Sequence, residues 1–349
     1  MKPVRRLIVC LCIAAVPAFA APPPKVVNAA DGIFTAFHNH PLVGIGDIHG
    51  LAQGMDFDAA LIRDPRFASE VGNIVLEVGG AAQQATVDRY VNGENIPYPQ
   101  LRKIWTDVVG WLPTVTFSGL VNIYATVREV NQTLPPEKRI KVWLGEPPVD
   151  WSQIRTNGDW LPLLKQRDTH AAELIEREIL AKNKKALVIY GGGHFTEPGD
   201  LGELIKAKHP KAFFIAVPYS GYAEKACSAD FEESIQNWPT PSLIAPIRGS
   251  SLEQKVGRPD CNVFPPPENP SPEQRTQMAA TNHNLLDADA LLYFGRRDQL
   301  KRGGYMFDMV LDLELRAEME RRNQIIAGKP MTNYVTERNP SVNRPWWPD

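Results

Sequence analysis

Short apolar segments alternate with longer amphipathic segments along most of the chain after residue 40. Each apolar segment has the length of a buried strand, and glycine or a charged residue follows several of them. The amphipathic segments repeat apolar residues at helical spacing, so that Ala171, Leu174 and Ile175 share one helix face. The predicted strands are 41–47, 73–78, 140–144, 186–190, 212–217 and 288–294. The predicted helices are 57–67, 83–91, 101–111, 119–134, 168–182, 201–208 and 307–326, the last of them ended by Gly328.

This alternation predicts an α/β fold, in which helices cover both faces of a mostly parallel central sheet. The pattern is interrupted at about 219–285, where proline accumulates, as at 265–267. The chain has 31 prolines among 349 residues, well above the usual ~5%. We therefore predict one α/β domain at 21–349, with a Pro-rich insertion or lid at about 219–285 and a C-terminal helix plus tail at about 305–349.

The first twenty residues have the pattern of a secretory signal peptide. Lys2, Arg5 and Arg6 precede the apolar run 7–16, which is shorter than the ~20 residues of a membrane-spanning helix. Small residues at 18 and 20 predict cleavage after Ala20. We expect a periplasmic or secreted protein with no membrane insertion after the signal is removed.

Signal cleavage would leave two of the four cysteines, Cys227 and Cys261. Cysteines in an oxidising compartment usually pair, so we predict a disulfide that pins the Pro-rich segment. Closing a loop of this length contributes ~3–4 kcal/mol in the chain-entropy model.

The charge balance bears on the kind of partner. The formal net charge is −2, with 43% hydrophobic and 22% charged residues. This balance excludes an electrostatic case for nucleic acid. It leaves a small-molecule or peptide substrate open as the partner.

Four polar residues follow or end the first four predicted strands. Because ligands of open α/β sheets bind outside the carboxyl ends of the strands, His49, Glu77, Glu146 and His194 are expected at one edge. Glycines around His49 allow a tight turn and close approach of a ligand. Glu77 lies in an otherwise apolar strand, where a carboxylate is costly to bury unless it is paired or functional.

Other polar residues belong elsewhere or have a weaker case. His38 and His40 precede the first predicted strand, so we place them at the opposite edge and not in a metal site. Arg128 lies on a predicted helix and could hold an anionic intermediate or a site carboxylate. Arg167 and His170 share a helix face with the apolar Leu174, which would allow His170 to face inward.

Two motifs around the first strand fail on spacing or on missing partners. Gly44 and Gly46 suggest a dinucleotide-binding loop, but the third glycine, Gly50, comes one residue late. Gly-Asp-x-His-Gly also begins the metal site of many metallophosphoesterases. The Gly-Asp-x-x-Asp and Gly-Asn-His segments that those enzymes also need are absent, so this function is kept only as a second alternative.

The ordered set of motifs resembles the erythromycin esterase-like, ChaN-like and Tiki superfamily, over about 30–220 and 285–327. Asp47 stands where that superfamily usually has glutamate. The matching stretches are 43–50 (VGIGDIHG), 74–77 (IVLE), Arg167-Asp168, 190–194 (YGGGH) and 289–295 (DALLYFG).

The resemblance implies a hydrolase of ester or amide bonds and leaves two versions open. In the esterase-like version His49 is the general base, Glu77 orients it or shares its proton, and His194 with Arg128 stabilises the oxyanion. In the Tiki-like version a divalent metal (Zn, Mn, Fe or Co) activates water. Its predicted ligands are Asp47, His49, Glu77 and His194. Glu146, Arg167, His170 and Tyr293 are candidate substrate-binding residues in either version.

The ChaN-like branch implies a different function, the non-enzymatic binding of haem or another ligand. Axial ligation of haem needs an accessible Tyr, His or Met. His49, His194 and Tyr293 are the candidates for that role.

Overall fold

The computed structural model describes residues 21–110, 117–196, 199–256, 258, 261, 285–328, 344–345 and 347. The predicted signal peptide at 1–20 and the proline run at 265–267 lie outside these described residues. Export and the location of the protein therefore stay predictions.

A central eight-stranded sheet organises the described part of the chain. Its strands, in chain order, are β1 (Lys25–Asn28), β2 (Leu42–Asp47), β3 (Asn73–Gly80), β4 (Lys141–Glu146), β5 (Ala186–Gly191), β6 (Phe213–Pro218), β7 (Ser242–Ala245) and β8 (Ala290–Tyr293). Across the sheet the order is β1-β7-β8-β6-β2-β5-β3-β4. The six strands from β8 to β4 run parallel, and β7 pairs antiparallel with both β1 and β8. A separate short ladder joins β9 (Lys301–Arg302) to β10 (Arg344–Pro345).

The mostly parallel α/β fold predicted from the alternation is confirmed. All six predicted strands are present as β2 to β6 and β8. The sequence analysis did not predict β1 and β7, because each has only four residues and neither follows a helix–strand alternation. Both lie at the antiparallel edge of the sheet, outside the repeating βα pattern.

Helices cover both faces of this sheet. In the described residues the α-helices are Ala29–Asn39, Ala52–Arg63, Gln84–Val91, Tyr98–Leu101, Lys103–Thr106, Ser118–Gln132, Asn157–Leu164, Arg167–Glu178, Gly193–Thr196, Leu201–Lys208, Lys225–Glu233, Glu253–Val256, Asp308–Leu311 and Leu313–Ala327. Side chains of β5 alternate between two separate cores: Leu187 and Ile189 join one, Val188 and Tyr190 the other. A strand that is buried on both faces has the continuous apolar run seen in the sequence.

Two helix predictions were wrong in their bounds for identifiable reasons. The predicted helix 101–111 is two short helices, and the chain after Thr106 leaves helical geometry so that its backbone amides can meet Glu146. The predicted helix 307–326 is broken at Asp312, whose carboxylate caps the helix Leu313–Ala327 by accepting from the amide of Leu315. Gly328 ends that helix in the left-handed conformation, as expected.

The interruption at about 219–285 is built into the domain. Its described part includes β7, which lies between β1 and β8, and the half-buried helix Lys225–Glu233. Cys227 on that helix forms the predicted disulfide with Cys261. Whether the rest of the segment acts as a lid stays a prediction.

Among the described residues, helices long and apolar enough to cross a membrane are absent.

Candidate functional site

The turn after β2 places a histidine on a buried carboxylate. His49 donates from Nδ1 to Oδ2 of Asp47, the last residue of the strand, at 2.5 Å. Asp47 is buried, whereas 29% of the His49 side chain is exposed. Gly50 has a φ of +92°, and a Cβ there would collide with the ring of Phe117. The turn therefore requires glycine, and it leaves Nε2 as the free nitrogen of His49.

A second aspartate–histidine pair faces the first. His194 lies on the single-turn helix that follows β5, and its Nδ1 bonds to Oδ1 of Asp168 at 2.6 Å. Asp168 lies in the first turn of the helix Arg167–Glu178. The His194 ring also meets the ring of Tyr190 edge-on, with 5.5 Å between centroids. Its Nε2 is therefore the nitrogen left for chemistry.

Glu77 lies between the two histidines. The Glu77 oxygens are 3.9 Å from Nε2 of His49 and 3.4 Å from Nε2 of His194. The backbone N–H of Gly191 also donates to this carboxylate, at 2.6 Å. A Cβ on Gly191 would lie 3.2 Å from Nε2 of His49 and 3.3 Å from the carboxylate of Glu77. The missing side chain allows β5 to approach both groups closely.

Arg167 supports Glu77 from the buried side. Its guanidinium donates to Oε1 of Glu77 at 2.6 Å and through Nε to Glu146. The other oxygen of Glu146 accepts from the amides of Val109 and Gly110, at 3.1 and 3.0 Å. Glu146 is only 1% exposed. The structure thus gives Arg167 and Glu146 a supporting role beneath Glu77 and not the substrate contact that we predicted.

The charges of the cluster set its protonation. Burial by itself would lower the pKa of His49, but Glu77 and then Asp47 outweigh it and raise that pKa to about 9. For His194, burial is likewise outweighed by Asp168 and Glu77, and the pKa rises to about 10. Burial would raise the pKa of Glu77, yet the facing His49 and His194, with Arg167, hold it well below its ordinary value. An ionised Glu77 between protonated imidazoles follows from these opposing effects.

The structure also corrects the role of Arg128. Its guanidinium donates to the carbonyls of Tyr90, Gly93 and Glu94 at 2.6–2.8 Å, in the last turn of the helix Gln84–Val91 and just after it. It also lies over the Tyr90 ring, 4.8 Å from the centroid. These bonds account for the charge of Arg128, so it has no part in an oxyanion site near His49.

The contacts described for His170 and Tyr293 are with other groups than the cluster. Burial lowers the pKa of His170, and the charged groups that act on it are Arg177 and Glu173 of its own helix. Tyr293 is buried among aromatic rings, with Tyr219 and Trp238 each 6.0 Å away. These contacts lend no support to the substrate-binding role that the sequence suggested for His170 and Tyr293, and that role stays a prediction.

The predicted metal ligands do not form a fitting donor set. Asp47 is engaged by Nδ1 of His49, and both oxygens of Glu77 already accept hydrogen bonds, one from the cationic Arg167. A metal ion would have to compete with that cation for Glu77. In the described part of the chain, clusters of three or more His, Cys, Asp or Glu placed to hold a metal ion are absent. The metallophosphoesterase arrangement, in which Asp and His both bind metal, would draw on this same Asp47, whose Oδ2 is bonded to His49.

The residues predicted as haem ligands, His49, His194 and Tyr293, also do not form a fitting set. Nε2 of His49 and of His194 both face the carboxylate of Glu77 and not an apolar slot for a porphyrin. Tyr293 is 4% exposed and is packed against the rings of Tyr219 and Trp238. The residues present therefore do not fit haem at this site.

Sequence reasoning did not assign a role to two acidic residues near the site. Asp168 orients His194, and its signal was its place beside Arg167 at the start of a helix. Asp58 is 1% exposed, and burial followed by the nearby Asp47 raises its pKa well above the ordinary value. Its signal was a carboxylate three or four positions from the apolar Met55, Leu61 and Ile62 on one helix face.

Comparison with known proteins gives similarities of fold at low sequence identity. No family model matches the chain, and no curated protein matches it. A protein from Bacillus cereus matches with a TM-score of 0.48 and 11% identity, over 78% of this chain and 94% of that one. A succinoglycan biosynthesis protein matches with a TM-score of 0.43 and 9% identity, over 57% and 73%. The haem-binding ChaN of Campylobacter jejuni matches with a TM-score of 0.37 and 12% identity, over 56% and 88%.

Proposed function

We propose that the protein hydrolyses an ester or amide bond in a small molecule or peptide, with His49 as general base. The observation that carries this proposal is the pair of imidazole Nε2 atoms on either side of Glu77, each ring fixed by its own aspartate. An aspartate on Nδ1 fixes the tautomer and orientation of the ring, so that Nε2 is the atom that exchanges a proton.

The proposed reaction starts with a water molecule beside the exposed edge of His49. In the neutral form of His49, which prevails above its pKa of about 9, Nε2 takes a proton from this water as its oxygen attacks the carbonyl carbon of the substrate. The carbonyl π electrons move to oxygen, and the protonated Nε2 of His194 donates a hydrogen bond to the oxyanion. When the tetrahedral intermediate collapses, the bond to the leaving group breaks. The proton held by His49 then passes to the departing oxygen or nitrogen.

The two histidines are assigned from their different environments. Nε2 of His49 lies 3.9 Å from Glu77, and its side chain is 29% exposed. Nε2 of His194 lies closer to Glu77, at 3.4 Å, and its side chain is 17% exposed. The more exposed His49 can meet the attacking water as a base, and the more closely paired His194 holds a proton as a donor to developing negative charge. Glu77 serves both, because its ionised carboxylate stabilises each imidazolium.

Turnover of p-nitrophenyl acetate and of a panel of peptide amides by the purified protein would test this function. His49→Gln should lower kcat/KM about 10²–10⁴-fold, the usual contribution of a general base. His38→Gln is the matched control, since His38 is exposed and pairs with Glu70 on the surface.

Equal turnover by His49→Gln and the unmodified protein would contradict the proposal. A stoichiometric Soret band on addition of haem would also contradict the proposal, if His49→Gln or His194→Gln abolished that band. These histidines would then be ligands of haem.

A further inference from the structure

An aromatic cavity lies on the side of the sheet that the helix Ser118–Gln132 covers. Its volume is about 540 Å³, within the ~300–1,000 Å³ of small-molecule pockets. Helical segments from 84 to 132 form most of its wall, with Asp56 and Met306 at the side. The lining of the cavity includes Asp56, Tyr90, Tyr98, Trp105, Tyr124 and Met306.

Four aromatic side chains give the cavity its shape. Trp105 is stacked on Tyr124, with 6.0 Å between centroids and 22° between ring planes. Tyr98 is tilted against the other side of the group, 6.2 Å from Trp105. Trp105 and Tyr124 are 3% and 1% exposed, whereas Tyr98 is 42% exposed. The buried pair is therefore a fixed inner wall, and Tyr98 stands at the opening.

Hydrogen bonds hold these rings in place without a ligand. The hydroxyl of Tyr124 donates to the carbonyl of Val78, the residue after Glu77. The hydroxyl of Tyr98 donates to Asp308 at 2.6 Å. Rings whose polar ends are already bonded offer their faces and edges to a ligand, and ring stacking adds to the burial of apolar surface. Met306, a flexible and polarisable side chain, can adapt to the outline of a bound group.

The charges around the cavity favour a neutral ligand. Among its lining residues that the structure describes, Asp56 alone carries charge, and it is exposed to solvent. Arg128 lies over the Tyr90 ring, but backbone carbonyls already hold its guanidinium. We propose that this cavity is a binding pocket for a neutral, ring-bearing organic molecule. The proposal goes beyond the hydrolase and does not depend on it.

The test uses the neutral fluorescent probe N-phenyl-1-naphthylamine with the whole protein. Ala125 lines the cavity and is exposed, so that Ala125→Trp would fill the pocket without disturbing the core. Gln132→Trp is the matched control, because it adds the same side chain at an exposed position near the end of the same helix. We expect saturable binding of the probe by the unmodified protein and by Gln132→Trp. In Ala125→Trp the affinity for the probe should be weaker by about tenfold or more.

Two further arms keep the result interpretable. Tyr98→Ala, at the opening, should weaken probe binding several-fold while the far-UV spectrum stays native. His49→Gln should bind the probe as the unmodified protein does, which separates this pocket from the proposed hydrolytic site. If the probe does not bind saturably, or if Ala125→Trp and Gln132→Trp bind it with equal affinity, the proposed binding pocket is disproved. Displacement of the probe by phenyltrimethylammonium but not by naphthalene would overturn the neutral class.

Discussion

The two aspartate–histidine pairs are alike in geometry and different in origin. In each, a carboxylate oxygen lies 2.5 or 2.6 Å from Nδ1, and Nε2 faces Glu77. Asp47 and His49 are two residues apart at the end of one strand, and Asp47 is 5% exposed at its side chain. Asp168 and His194 come from separate elements 26 residues apart, and Asp168 is 28% exposed.

This difference indicates how each histidine is held. The pair at β2 is fixed by a single glycine-bounded turn and a buried carboxylate, so its hydrogen bond works in surroundings of low dielectric. The second pair depends on the packing of the helix Arg167–Glu178 against the sheet, and its carboxylate is partly solvated. We expect the first pair to be more sensitive to loss of its aspartate, and both to depend on Glu77 and Arg167.

The largest effect should come from Arg167→Met, which removes the cation shared by Glu77 and Glu146. Loss of one partner leaves two carboxylates buried without their counter-ion, so we expect the free energy of unfolding to fall by about 3–5 kcal/mol. Urea denaturation would measure it. Arg177→Met is the control on the same helix, because Arg177 is 60% exposed in its surface pair with Glu178, and it should cost about 0–1 kcal/mol. Equal costs in the two variants would disprove the supporting role of Arg167.

A smaller and more selective effect should separate the two aspartates. Asp47→Asn keeps the shape but can turn the ring of His49 to the wrong tautomer, and we expect kcat/KM to fall about 10²-fold. Asp168→Asn should lower it less, because water can take over part of the role of the more exposed carboxylate. Steady-state turnover with the p-nitrophenyl ester compares the two. A larger loss in Asp168→Asn than in Asp47→Asn would contradict the stronger dependence of the first pair on its aspartate.

The smallest expected effect of the two aspartate–histidine pairs is on the pH dependence of the free energy of unfolding. The folded pKa values of His49 and His194 are about 9 and about 10, against an ordinary value of 6.5. Their stabilisation is complete below the ordinary value and is lost as the pH rises through the folded values. Glu77 acts in the opposite sense: its contribution is complete above its ordinary value of 4.5 and is lost as the pH falls.

We therefore expect stability to be highest between the ordinary pKa values of glutamate and histidine and to decline toward pH 10. The decline should not exceed about 1.4 kcal/mol per pH unit for each proton. Urea midpoints measured across this range would show it, and His49→Gln and His194→Gln should each flatten the alkaline side. An unchanged alkaline slope in both variants would mean that other groups cause the decline.

Part of the candidate site could be predicted from strand ends alone. His49, Glu146 and His194 each follow or end a parallel strand, Glu77 lies close to the end of another, and such ends meet at one edge of a sheet. The role predicted for Arg128 was wrong because its position on the helix allows it to face either the site or the carbonyls of Tyr90 and Gly93. Only the packing of the helix decides between the two. The role predicted for Tyr293 gains no support for a related reason: the end of a strand fixes the edge but not the neighbours of a buried ring.

The sequence by itself determined the alternating α/β pattern, the pairing of Cys227 with Cys261 and the local geometry of the turn after β2. These are short-range or compositional features, set by apolar spacing, by redox chemistry and by the φ that Gly50 adopts.

Only the tertiary structure decided that Arg167 lies under Glu77 and that Asp168 orients His194. The same holds for the short edge strands β1 and β7 and for the aromatic cavity beside the sheet. The reason is that a charged or aromatic side chain at a given position can be satisfied by several partners far away in sequence. The choice among them depends on which elements pack together and on what that packing leaves buried.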